Sequence, residues 1–155
     1  MPQDTKASHE DANLVLRLYE IRRDERMRQA REFMLRQYNA ENMQEHRALC
    51  PRGSENDASF RMVVSYWDMA CSFVTAGVLN QDLLLQSTGE LLLVWTRLRN
   101  VIQPIRESLG DPRLWRSLEQ VAKSEVVSLN TASPGAYEKR KETIWRINRP
   151  AAAQA

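Results

Sequence analysis

Between residues 57 and 78, apolar side chains return at every third or fourth position: Phe60, Val63, Val64, Trp67, Ala70, Cys71, Val74 and Val78. That interval is the period of an α-helix with one buried side, and the two-residue alternation of a half-buried strand never holds over a usable length of the chain. The pattern predicts a central helix of about five turns. A stripe that broad has to be covered by other helices, so it also predicts an all-α fold around one core.

Helical spacing recurs on both sides of this segment. Ser8 is placed to cap a helix starting between His9 and Asp11, with Leu14, Val15, Leu18 and Ile21 facing inward and Arg17, Glu20 and Arg22 in water. A second helix starts at Asp24 and carries Met27, Ala30, Phe33, Met34, Gln37 and Tyr38 on one side. On its other side Asp24/Arg28, Arg28/Glu32 and Glu32/Arg36 alternate in sign, each pair adding only about 0.2 to 0.5 kcal/mol. Ala40 to Leu49 reads as a short helix before the Pro51-Arg52-Gly53-Ser54 turn. Gly77 suits a left-handed helix exit, Asn80 the next N-cap, and Leu79 with Leu84 a hydrophobic staple across that cap. Residues 81 to 106 read as helix bent at Gly89, Pro104 or both. Gly110-Asp111-Pro112 combines a helix exit, an N-cap and a first-position proline. The helix it opens runs to Leu129 with the stripe Leu114, Trp115, Leu118, Val121, Ala122, Val126 and Leu129. A last segment from Ser133-Pro134 carries Tyr137, Ile144, Trp145 and Ile147. The expectation is a single-domain bundle of about six helices, one or two of them bent, over residues 10–148, between a disordered leader at 1–9 and a frayed tail at 149–155.

A chain of 155 residues can bury a core without a disulfide or metal clip. Cys50 and Cys71 form no CxxC pair and read as free thiols of a reducing, cytoplasmic compartment. Met1 to Glu10 is polar and lacks the apolar stretch of a secretory signal. The most apolar runs, Leu91 to Trp95 and Met69 to Leu79, are too short to span a membrane. A net charge of +2 with interleaved signs argues against a nucleic-acid partner, although residues 11–36 and 136–149 are biased to basic and make a modest patch if they meet.

No Gly-rich phosphate loop, zinc-protease, EF-hand, CxxC or nucleophile-elbow pattern occurs, so no catalytic, cofactor or metal residue is assigned. His46 and Cys50 share a helix face with Glu45 nearby, yet a metal needs three or four converging ligands. They read as helix-surface or loop residues, and zinc is expected not to raise the melting temperature. Asp68, at the edge of the central stripe, requires a partner if half-buried, and Arg31 beside Ala30 and Met34 is the expected one. Glu90 and Glu107 complete the candidate acids for paired-carboxylate chemistry. Glu90 reads instead as a solvated or paired acid, and Ser87-Thr88-Gly89-Glu90 as a helix bend rather than a nucleophile site. Trp67 and Trp95 are expected in the core, Trp115 and Trp145 at an exposed or interfacial position. Arg97 and Arg99 beside Trp95 are too sparse for a base-stacking surface. Met27, Met34, Met62 and Met69 read as core filler rather than an adaptable groove.

Tyr66-Trp67-Asp68-Met69-Ala70, Gly77-Val78-Leu79-Asn80, Trp95 and Asp111-Pro112-Arg113-Leu114-Trp115 form a recognisable series, preceded by Leu18-Tyr19 and Met27-Arg28-Gln29-Ala30-Arg31. Over about residues 12–128 the chain resembles the bacterial domain-of-unknown-function 4760 family. The resemblance implies a mostly helical domain, in some members behind an N-terminal membrane helix that the polar leader here does not match. It implies no catalytic residue, because the family has no established activity, and it supports Asp68 and Trp95 as features of the fold. These readings point to a small helical interaction or regulatory domain acting through a protein–protein surface, as a homodimer, rather than to an enzyme. The alternatives are an unrecognised enzyme or small-molecule-binding domain using Asp, Glu and Arg side chains in an interhelical cleft, and weak nucleic-acid binding by the basic end helices.

Overall fold

The computed structural model describes residues 6–148, without the side chains of 147 and 148. The tail expected at 149–155, most of the leader expected at 1–9 and the side chain of Ile147 therefore lie outside the described residues. In chain order the elements are α1 (His9–Arg22), α2 (Glu25–Glu32), a π-helical turn π1 (Phe33–Gln37), α3 (Met43–Leu49), α4 (Glu55–Thr75), α5 (Gln81–Ser87), α6 (Glu90–Leu98), α7 (Ile102–Leu109), α8 (Arg116–Ala132) and α9 (Ala136–Asn148). Among the described residues there is no strand.

The central helix is α4, packed against α8 on one side and α2 on another. Phe60, Val63, Val64, Trp67, Ala70 and Cys71 are buried along it, whereas Val78, past its end, is exposed. Caps fall where short polar side chains meet free helix N–H groups. Ser8 and Asp11 form a reciprocal capping box, Asp24 accepts from the Met27 N–H at 3.2 Å, and Asn80 from the Leu83 N–H at 2.9 Å. Gly77, at φ +75°, makes the expected left-handed exit.

The helix count departs from expectation, with nine α-helices among the described residues where about six were predicted. Most of the excess arises in residues 81–106. Thr88 is extended at φ −155°, ψ 140°, and a turn at 99–101 makes a second break, so three helices replace one bent one. Pro104 is the third residue of α7, where a missing N–H costs nothing because no intrahelical acceptor precedes it. The bent helix is instead α2, which runs on into π1 through a Tyr38 N–H to Phe33 carbonyl bond of 2.9 Å. Asp111 does not cap α8 directly. Its side chain accepts from the Arg113 N–H at 2.9 Å, holding a separate turn at 112–115 before α8 begins at Arg116.

Several side chains sit elsewhere than their spacing suggested. Arg22 is buried and Ile21 exposed, because the Arg22 guanidinium lies over the Trp67 and Tyr19 rings, 5.1 and 5.7 Å from their centres, an arrangement stabilised by the ring quadrupole. Gln37 is exposed. Of the three surface pairs expected on α2, Glu32/Arg36 is within reach, at 4.0 Å. Met27 and Met34 are buried as core filler, but Met62 and Met69 are exposed. Trp115 joins Trp67 and Trp95 in the core and Trp145 is half-buried, so the tryptophans leave little uncovered aromatic surface.

The expected Asp68/Arg31 pair does not form. Arg31 instead forks onto Glu90, with Nε 2.9 Å from Oε1 and Nη2 2.6 Å from Oε2, and the Trp67 indole donates to Glu90 Oε1 at 3.2 Å. Asp68 points the other way and accepts from the Leu118 N–H at 3.0 Å. Leu118 is the third residue of α8, so Asp68 caps from α4 a helix whose own N-cap residue, Trp115, supplies no side-chain bond. Arg97 is fully buried. Its guanidinium donates to the carbonyls of Tyr38 and, at 3.3 Å, Leu35, which the end of π1 leaves without helical partners, and to that of Ile144 in α9 at 3.1 Å. Burial lowers its pKa to about 10, which leaves the cation charged at neutral pH.

Candidate functional site

A cavity of about 580 Å3 opens between α3, the turn at 51–54, α4, α7 and the turn at 112–115. That volume lies in the range of small-molecule sites. Its floor is aromatic: Phe60 packs edge-on against Trp115 at 5.9 Å and against His46 at 4.8 Å, and Ile105 and Leu114 extend the apolar wall. Its rim is basic, with Arg47 from α3, Arg52 from the turn and Arg61 from α4.

Local sequence explains the rim. Gly53, at φ +80°, lets the chain turn sharply after α3, and its N–H donates to Asp57 Oδ2 at 3.0 Å. Ser54 then caps α4 through the Asp57 N–H at 3.1 Å. Asp57 is held at the mouth with Arg61 at 3.4 Å, and Arg52 projects from the exposed crest of the same turn.

His46 is buried rather than on the surface, a correction that changes its chemistry. Cys50, its companion in the sequence reading, is also buried, and burial pushes its thiol up to about 12. The His46 Nδ1 atom lies 3.0 Å from the Tyr38 hydroxyl. Burial raises the Tyr38 pKa and lowers that of His46, so a protonated phenol meets a neutral imidazole. The other ring nitrogen, Nε2, has no hydrogen-bond partner among the described residues while the residue lines the cavity, and it donates or accepts according to the tautomer.

The opposite wall is held by Arg106 and Trp115. Arg106 is buried, donates from Nε to the Leu114 carbonyl at 2.8 Å and pairs with Glu119 at 2.8 Å. Burial opposes the Glu119 charge, but hydrogen bonds from Lys123 and Arg106 outweigh it and hold its pKa below the ordinary value. Trp115, at φ 56°, is the one non-glycine residue with positive φ among the described residues. That left-handed conformation costs about 1 to 2 kcal/mol, and it sets the indole against Phe60.

The acids singled out from the sequence do not line this cavity. Asp68 caps α8, Glu90 is taken by Arg31 and Trp67, and Glu107 is exposed. The hydroxyls of the Ser87-Thr88 bend are committed too: Ser87 donates to the Leu84 carbonyl at 2.7 Å, and Thr88 accepts from Arg22 at 3.2 Å. A smaller cavity of about 390 Å3 is lined there by Glu125 and Arg140, with the Glu125 pKa raised by burial. Among the described residues no group of three or more His, Cys, Asp or Glu side chains is placed to hold a metal ion. No helix is long and apolar enough there to cross a membrane.

The match of the whole pattern to known sequences runs over residues 7–124. The chain belongs to the family described as Domain of unknown function (DUF4760). No curated protein and no solved structure matches it. The matched span includes every residue that lines the larger cavity, whereas α9, which supplies the Ile144 carbonyl to Arg97, lies beyond it.

Proposed function

We propose that this domain binds a small molecule without transforming it, in the cavity between α3, α4 and α7. The observation that carries this reading is the combination of an aromatic floor, a basic rim and a buried histidine with one ring nitrogen unpartnered among the described residues. Small-molecule sites are built this way, from apolar walls with a few convergent polar groups. Acid–base catalysis asks for something else, two titratable groups with separated pKa values across a cleft. Asp57 is the one carboxylate among the lining residues described, and it is engaged by Gly53 and Arg61.

The test is a fragment screen read by amide chemical shifts, on the wild-type protein and on Ser108→Trp, which fills the mouth. Shifts gathered at residues 46, 53, 60 and 108–115, and abolished by the substitution, are the expected result. Hits that scatter over other surfaces, or that survive in Ser108→Trp, overturn it.

A second reading keeps the same place and changes the occupant. Leu109, 64% exposed on the cavity lip, favours a protein partner or a second copy of this chain that inserts a side chain there. Light scattering at micromolar concentration, repeated with Leu109→Glu, separates the two: an oligomer that dissociates on the substitution favours this reading over the first. The buried thiols Cys50 and Cys71 support a reducing, cytoplasmic setting for either.

A further inference from the structure

We infer that the molecule this cavity takes is a small organic anion, an apolar or aromatic body bearing one carboxylate, phosphate or sulfonate group, an inference that rests on the small-molecule reading above. Arg47, Arg52 and Arg61, all exposed, line the cavity with Asp57 as the one carboxylate residue among the described lining residues. Asp57 already serves Gly53 at 3.0 Å and Arg61 at 3.4 Å. Arg47 and Arg52 make no ion pair among the described residues.

A cleft whose lining carries more of one sign of charge than the other gathers counter-ions, and a guanidinium presents the planar pair of N–H groups that a carboxylate or phosphate accepts. Inside the rim, Nε2 of His46 adds a neutral polar atom, which donates to an anionic group in one of its two tautomers, on a side chain fixed by Tyr38 and Phe60. The Phe60 and Trp115 rings offer an apolar wall to the body of the ligand. A cation is repelled by the same rim, and a neutral apolar molecule leaves the arginines unused. The two halves of the site therefore ask for one amphiphilic molecule whose charged end stays at the mouth.

Two fluorescent probes of similar shape test this on the full chain: 1-anilinonaphthalene-8-sulfonate, which is anionic, and N-phenyl-1-naphthylamine, which is neutral. The anionic probe is expected to bind the wild type about ten-fold more tightly. Arg47→Ala/Arg52→Ala is expected to erase most of that preference and to leave the neutral probe unchanged. Both arginines are exposed, and a helical circular-dichroism spectrum checks that the variant is folded. Equal affinity for the two probes, or a preference that survives the double substitution, overturns the inference while leaving the cavity reading intact. Failure of both probes to bind the wild type, or undiminished binding of both to Ser108→Trp, overturns the cavity reading as well.

Discussion

Glu90→Gln isolates the ion pair between α2 and α6, because the amide keeps the shape and its oxygen can still accept from the Trp67 indole, 3.2 Å away. What disappears is the charge that Arg31 meets at 2.6 to 3.1 Å. Donating to the Glu90 carboxylate holds the Arg31 pKa above its ordinary value in spite of partial burial, so the pair favours the charged, folded state. Stranding one partner of a fully buried pair costs about 3 to 5 kcal/mol, and an exposed pair is worth about 0 to 1 kcal/mol. The Arg31 and Glu90 side chains are 26% and 10% exposed, which puts the expected loss between those limits, at about 2 kcal/mol. For a chain of this length that is a fall in melting temperature of about 4 to 8 °C, measured by thermal unfolding followed by circular dichroism. The control is Glu32→Gln, whose pair with Arg36 at 4.0 Å is open to solvent and whose expected effect is below about 0.5 kcal/mol. Arg31→Met/Glu90→Leu should be less destabilised than the two single changes added together, because no charge is left stranded. Equal effects of Glu90→Gln and Glu32→Gln, or strict additivity in the double variant, would refute the reasoning.

Two further outcomes follow from the polar interior. Asp68→Ala removes the acceptor for the Leu118 N–H and should cost about 1 kcal/mol in urea unfolding, the usual worth of an N-cap, with Asp68→Asn recovering most of it; no loss in the alanine variant would show that α8 needs no cap from α4. His46 has a pKa depressed by burial from the ordinary 6.5, so the unfolded chain takes up a proton before the folded one does. Its contribution to stability is complete above about pH 6.5 and is lost as pH falls through the lower, folded value. Replacing it by glutamine should flatten the stability curve just below pH 6.5, and an unchanged slope there would mean that the imidazole is not buried neutral.

Local features were legible because neighbours along the chain decide them. Ser8, Asp24, Gly77 and Asn80 end or start helices through bonds to residues within a turn, and each does what its side chain suggested. The stripes of α4 and α8 were legible for the same reason. Errors gathered where a polar residue lies on an apolar face. Arg97 follows Val94 by three residues and precedes Val101 by four, a spacing that marks a buried position, although the sequence reading weighs it only as a nucleic-acid contact. His46 is likewise three residues after Met43 and four before Cys50, which was the available signal for the cavity wall.

What the order of amino acids determined alone was that the chain is helical, where its central helix lies and how most of its helices begin, since period and capping depend on atoms a few residues apart. The partner of each buried charge was decided only by packing. Asp68 and Glu90 are both acids beside a tryptophan-bearing face, and a rotation of about 100° between successive residues on a helix sends Asp68 to α8 while Trp67 turns to meet Glu90. The cavity has the same origin, because its walls come from α3, α4, α7 and two turns, and no local rule brings residues 46, 60 and 115 together.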